Sequence, residues 1–198
     1  MPENHGLFQS VLGGVLGLLG AATIVVYTHV NRRSRARGER AHWIRGWILG
    51  AAGMCFFGAG WTLLALAGPR VLPEILWPLG ALLCLLALLI YGASARRVGR
   101  WRKPSSYSLS LHAEGIHARV RHPQALSLCV LVVGLVLLSG SLPILVTAPL
   151  WIAFWVFYTY LEESWELLPT FGEAYRRYRT STPRLLPRIV PDRFRRSP

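Results

Sequence analysis

The distribution of charge constrains this chain more than its amount does: four long charge-free runs alternate with blocks dense in arginine. Leu7 to Val30 is 24 residues, Gly46 to Ala67 is 22 and Ile75 to Ala95 is 21. Each is long enough for a helix to cross a hydrocarbon core of about 30 Å at about 1.5 Å per residue. The fourth run, Pro123 to Leu161, is 39 residues; as one helix it would reach about 58 Å, nearly twice what a bilayer needs. Ser139-Gly140-Ser141-Leu142-Pro143 places turn residues near its middle. The run therefore reads as a tight hairpin of two helices, which makes five crossings.

The positive-inside rule tests that count. Five crossings put Asn31 to Arg45, Arg96 to His122 and Glu162 to the end on one side, with 6, 7 and 8 basic residues, 21 of the 22 in the chain. Only Arg70, close to Glu74, falls opposite. Four or six crossings would scatter the arginines. The N-terminus is expected outside and the C-terminus in the cytoplasm of a bacterial cell membrane. The net charge of +13 then follows from topology and from contact with anionic lipid headgroups. This excludes a nucleic-acid partner, as does a charged share of only 16% against about 25% in soluble domains. Leu7 to Val30 is not expected to be a cleaved signal peptide, because its leading region is acidic and its apolar part too long.

Cys55, Cys84 and Cys129 lie inside the second, third and fourth crossings. They form no CxxC pair, so no zinc site or disulfide framework is expected, and they read as small buried apolar residues. Gly13 and Gly17, like Gly46 and Gly50, are spaced four apart, which suits close helix packing inside the chain or in a homodimer. Gly58-Ala59-Gly60 has no strand before it and is not a dinucleotide-binding turn.

Two places hold polar groups with chemical potential. Arg121-His122-Pro123 ends the basic loop before the fourth crossing. Proline suits the first turn of a helix, so the triplet caps that helix beside unpaired backbone N–H groups and suits an anionic group. It equally suits a simple basic flank. The second place is Glu162-Glu163-Ser164-Trp165-Glu166, where three of the nine acidic residues fall within five positions. At spacings of three and four they share one helical surface and repel unless something positive answers them: an arginine from another block, or a cationic ligand. Downstream, Phe171, Tyr175 and Tyr178 form an aromatic stripe on a short helix begun after Pro169, with Arg176, Arg177 and Arg179 covering the rest. This is an amphipathic helix lying on the membrane or over a site. Pro183, Pro187 and Pro191 keep the tail extended.

The order of these pieces carries a resemblance. Gly115-Ile116-His117-Ala118-Arg119-Val120-Arg121-His122-Pro123, the hairpin, Glu162-Glu163, Phe171-Gly172-Glu173-Ala174-Tyr175-Arg176-Arg177-Tyr178 and Pro183-Arg184-Leu185-Leu186-Pro187 resemble the signature of the isoprenylcysteine carboxyl methyltransferase and phospholipid methyltransferase superfamily of integral membrane enzymes. Val98-Gly99-Arg100-Trp101 fits more loosely, and the first two helices carry no such likeness. The chain departs from the pattern at Ala125 and Ser127, where a tyrosine and a glycine are usual, and at His117, where a tyrosine is common. The stretch from Glu163 to Phe171 is one residue longer than usual, which leaves the main role open between Glu162 and Glu163.

The resemblance implies an all-α membrane bundle of about five helices with a C-terminal hairpin and a cytoplasmic amphipathic tail helix. It implies S-adenosylmethionine as cofactor and a lipid or other lipophilic acceptor entering from the bilayer. The cofactor-binding residues would be Arg121, His122, Glu162, Glu163 and Tyr175, and the catalytic ones Arg121 and Glu163. Glutamates would answer the cofactor's sulfonium and ammonium, and Arg121 or His122 its carboxylate. The matched part lies in a methyltransferase-like core at 94–188, after three helices in 1–93 and before a basic tail at 189–198. Rival readings are an NADPH-dependent membrane reductase and a non-catalytic membrane subunit on the same scaffold.

Overall fold

The computed structural model describes residues 3–36, 42–100 and 114–187, with side chains over 5–30, 48–96 and 114–187. Val98-Gly99-Arg100 ends a helix whose last side chains lie outside the described residues, as do Trp101 and the tail at 189–198. Among the described residues every regular element is helical: α1 (Glu3–Ala36), α2 (His42–Leu66), α3 (Trp77–Arg100), α4 (Pro123–Ser139), α5 (Leu142–Glu162) and α6 (Leu168–Ser181). Short 3₁₀ turns, Glu74–Leu76 and Gly115–Ala118, precede α3 and α4, and a π turn, Glu163–Leu167, joins α5 to α6. α1, α2, α3 and the α5–α6 run are long and apolar enough to cross a membrane. The 17 residues of α4 span about 25 Å, at the short end of what a bilayer accepts. The hairpin and the five apolar helices read from the sequence are present in an all-α membrane bundle.

The hairpin turn sits at the end of the bundle away from the basic blocks, and its chemistry explains its sharpness. Gly140 closes α4 at φ +63, and its N–H donates to the Val136 carbonyl at 2.9 Å, the left-handed cap that glycine adopts without a Cβ penalty. The turn is stitched to the α2–α3 connection. Val71 N–H donates to Gly140 O at 2.8 Å and Leu142 N–H to Pro69 O at 3.1 Å. The buried Ser141 hydroxyl donates to the Leu64 carbonyl at 2.8 Å and reaches the Ala67 carbonyl as well. With the backbone pairs of a sharp turn so satisfied, the hairpin holds its place in an apolar medium.

The helices approach closely wherever glycine faces backbone. α1 and α2 meet through Gly13 against Gly60 and Gly20 against Gly53, while Gly17 lies under the Trp151 indole and Gly50 under Tyr27. The glycine faces of α1 and α2 are thus used within the chain, which leaves a homodimer through them without support; Gly46 lies outside the described side chains. α3 and α4 meet through Gly80 and Gly134. Phe57 and Trp61 of α2, Trp151 and Trp155 of α5 and Ile24 of α1 build the buried core with Leu128, Val132 and Val136 of α4. Phe57 meets Trp151 edge-on at 5.6 Å between centroids.

Two expectations are corrected. Cys55 is exposed on the bundle's outer surface, and Cys84 and Cys129 are half-buried, because each helix of a small membrane bundle keeps a broad lipid-facing side. The tail helix does not start afresh after Pro169 but continues from α5 through the π turn. It then breaks at Gly172, whose φ of 53 and ψ of −125 are not helical. Phe171 precedes this break, so only Tyr175 and Tyr178 share the buried face of the last helix.

A Cβ added at Gly80 would lie 2.3 Å from Leu138 N and 2.8 Å from Gly134 O, both backbone. Gly80→Ala is therefore expected to cost about 1–3 kcal/mol by overpacking and to lower the melting temperature in detergent. Gly92→Ala, where nothing lies within 4 Å, is the control and should melt at or above the wild-type temperature.

Candidate functional site

Three segments distant in sequence meet at the basic end. The first is the loop entering α4, where His122 is the N-cap and Pro123 opens the helix. The second is the junction of α5 with the π turn, which carries Glu162 and Glu163. The third is the segment after α6, extended from Thr182 (φ −119, ψ 128). Backbone bonds join the first to the third: Arg121 N–H donates to Pro183 O at 2.9 Å and His122 N–H to Arg184 O at 3.1 Å. The strap after α6 thereby lies along the entrance to α4. It also satisfies the amide of the helix cap.

Glu163 is the centre of this meeting, only 3% exposed. Its Oε1 accepts from His122 Nε2 at 2.9 Å and lies 3.1 Å from Arg121 Nη1. Its Oε2 accepts from Arg184 Nη2 at 2.8 Å. His122 Nδ1 donates to Glu162 Oε2, again at 2.9 Å. A neutral imidazole has one N–H, yet both ring nitrogens here face carboxylate oxygens, so the ring is an imidazolium. Burial opposes that charge, and the bonds to Glu162 and Glu163 outweigh it, leaving the His122 pKa raised. Burial likewise works to raise the Glu163 pKa, but the His122 bond and the His122, Arg121 and Arg184 charges hold it below the ordinary value. Glu166 stands outside this network, although it has contacts of its own.

Arg121 is buried, with its side chain 8% exposed. Its Nε and Nη1 complete no hydrogen bond, although Nη1 is ion-paired with Glu163 Oε1 at 3.1 Å. The Tyr175 hydroxyl is also buried, beside Glu163, and completes no hydrogen bond of good geometry. Burial and the Glu163 charge keep this phenol neutral. Tyr178 is pinned above: its hydroxyl donates to the His117 carbonyl at 2.5 Å, and Ser94 Oγ lies 3.3 Å from His117 Nε2. Buried donors that complete no hydrogen bond, set in a cluster of charges, have the chemistry to hold an anionic group such as a carboxylate.

The structure thus brings together all five candidate residues: Arg121, His122, Glu162, Glu163 and Tyr175. It also shows how the two glutamates differ. Glu163 is held on both oxygens, whereas Glu162, with 32% of its side chain exposed, uses only Oε2 among the described residues. Arg184, read from the sequence only as part of the Pro183–Pro187 signature and not as a site residue, is the further member of the cluster. Its guanidinium lies 3.4 Å over the Tyr160 ring centroid and its Nη1 is 3.5 Å from Thr159 Oγ1. An arginine between prolines, following a tyrosine-bearing helix, was the available signal. No group of three or more metal-ligating side chains occurs among the described residues.

The charge states generate a pH dependence of known sign. A histidine whose folded pKa is raised stabilises fully below its ordinary value of 6.5, and that contribution disappears as pH rises through the folded value. A glutamate whose folded pKa is lowered stabilises above its ordinary 4.5 and ceases to do so as pH falls through the folded value. The wild-type melting temperature is expected to fall as pH rises above 6.5. His122→Gln should start lower and lose that slope; an identical slope in both proteins would show that His122 is not the titrating group.

Comparison with curated proteins and with solved structures finds no match to this chain. Comparison with family models does: residues 76–173, just under half of the chain, match the model described as phospholipid methyltransferase. The match covers α3, the hairpin, the π turn and the start of α6, and so includes Arg121, His122, Glu162 and Glu163. Over residues 76–173 the chain is similar to the phospholipid methyltransferase family, one of the isoprenylcysteine carboxyl methyltransferase-like families of membrane enzymes.

Proposed function

We propose that this protein catalyses methyl transfer from S-adenosylmethionine to a lipophilic acceptor at the cytoplasmic side of its membrane. The observation that carries the reading is the buried Arg121, with two nitrogens lacking hydrogen-bond partners, beside the Glu162–His122–Glu163 cluster. The family match supports the reaction class. When bound, the cofactor provides an electrophilic methyl group. The chain's own residues do the rest. Arg121 offers its planar head to a carboxylate. Glu162, with one oxygen uncommitted, answers a cation; Glu163 and His122 hold these two in register. Tyr175 offers its hydroxyl, and the last helix shields the cluster from water. An in-line displacement that quenches a positive charge demands little more than alignment and a water-poor site. If the acceptor is a carboxylate, an arginine would be its natural holder; if an amine, a glutamate would take its proton.

The orientation follows from charge. The basic blocks lie at the ends of helices that also carry the cluster, and basic loops face the cytoplasm. A cysteine placed at Ser181, an exposed position at the end of α6, should react with a membrane-impermeant thiol reagent only when the cytoplasmic side is accessible. Labelling from outside would overturn the orientation.

The cofactor is tested by melting the purified protein with S-adenosylhomocysteine and with NADPH. A ligand at about 100 times its Kd stabilises the folded state by about 2.7 kcal/mol. S-adenosylhomocysteine is expected to raise the melting temperature and NADPH to leave it unchanged; the reverse would favour a reductase and a response to neither a non-catalytic subunit. Arg121→Lys keeps the charge but not the two-pronged geometry, so methyl transfer should fall by about tenfold or more with folding intact. Full activity of Arg121→Lys would sink the assignment.

A further inference from the structure

Arg184 lies beyond the matched residues 76–173 and joins the cluster from the strap after α6. Its anchorage is unusually complete for an arginine so near a chain's basic tail. The head stacks on Tyr160 at 3.4 Å, Nη2 donates to Glu163 Oε2 at 2.8 Å, and its carbonyl accepts from His122 N–H at 3.1 Å. Side-chain exposure is 18%. This is a built position rather than a surface pairing.

Its consequence is electrostatic. With His122 an imidazolium, the cluster holds the cations Arg121, His122 and Arg184 against the carboxylates Glu162 and Glu163, a surplus of one positive charge. Without Arg184 the surplus is zero and Glu163 Oε2 becomes an open acceptor. Arg121, already 3.1 Å from Oε1 of the same carboxylate, would then turn its fork onto both oxygens, the geometry arginine favours. With Arg184 in place, Oε2 is taken and Arg121 is held only by the single Nη1–Oε1 ion pair, its Nε–H and Nη1–H completing no hydrogen bond. We propose that Arg184 is a positioning residue that engages Glu163 so that Arg121 is left to bind the carboxylate end of the cofactor. This rests on the methyltransferase reading above and adds to it a specificity-determining residue that acts through another.

The experiment separates charge positioning from mere structural support. Full-length protein in detergent is titrated calorimetrically with S-adenosylhomocysteine and with its decarboxylated analogue, which lacks the group that Arg121 would hold. The wild type is expected to prefer S-adenosylhomocysteine by about tenfold or more, the scale of one charged hydrogen bond. Arg184→Gln should lose most of that preference, by weakening S-adenosylhomocysteine while leaving the decarboxylated analogue within about threefold of wild type. Arg184→Lys, which restores a cation next to Oε2, should keep the preference and serves as the deciding variant if Arg184→Gln does not fold. Equal weakening of both ligands, or a preference unchanged in Arg184→Gln or lost in folded Arg184→Lys, would overturn the role of Arg184. A wild type that binds neither ligand would overturn the methyltransferase reading and this proposal with it.

Discussion

One carboxylate, that of Glu163, holds the basic end of this bundle in its arrangement. An ionised carboxylate taken out of water costs several kcal/mol unless cations and hydrogen bonds answer it. Glu163 is 3% exposed, so its partners are obligatory rather than decorative. They come from 41 or 42 residues earlier (His122 and Arg121) and 21 residues later (Arg184). Burying the charge therefore requires the entrance of α4, the end of α5 and the strap after α6 to converge. The same requirement explains why His122 is doubly bonded. A neutral ring there would leave one carboxylate facing a lone pair.

The other end of the hairpin is fixed by different means. Gly140 and Ser141 are tied by backbone and hydroxyl bonds to the α2–α3 connection, where a medium without water makes each unsatisfied group expensive. Between the two ends, aromatic packing of Phe57 with Trp151 and Trp155 fills the space. A pair of helices clamped at both ends and packed between is a rigid support, and rigid supports are what align charged groups to a fraction of an ångström. Helices outside the family match contribute to this. Thr28 of α1 shares a 3.0 Å hydrogen bond with Tyr158, and His29 meets Trp165 of the π turn edge-on at 5.8 Å. α1 thus braces the acidic segment although it carries none of the motif.

Most of the architecture was legible because two independent signals agreed. Runs such as Ile75 to Ala95 are long enough to span, and arginine placement fixed how many times the chain does so. Arg121, His122 and the glutamates were legible from their order along the chain. What escaped was whatever depends on three-dimensional closure. Arg184 is one of eight basic residues in the last block, and topology alone accounts for all eight. Nothing in local spacing says that this one folds back onto Tyr160. The break at Gly172 escaped because a lone glycine in a helical pattern is tolerated as often as it is a kink. The exposure of Cys55 escaped because helices apolar all round give no preferred buried face.

The choice between Glu162 and Glu163 could not be made from periodicity, and the π turn shows why. An α-helix places neighbours about 100° apart, so adjacent glutamates point to different faces. Here both reach the same imidazole, one at each nitrogen. The helix changes winding at this point: the Leu168 N–H reaches back to the Glu163 carbonyl, five residues rather than four, which accommodates one extra residue in the turn. A π turn is the geometry by which a helix takes in one extra residue, as the resemblance implies for the stretch from Glu163 to Phe171. Gly172, with φ of 53 and open space around its Cα, then redirects the chain so that Tyr175 and Tyr178 face the cluster. Two local departures from α-helical geometry, eight residues or so apart, therefore do what a regular helix could not. The first lets a buried and a half-exposed glutamate share one histidine, and the second brings the aromatic face down over them.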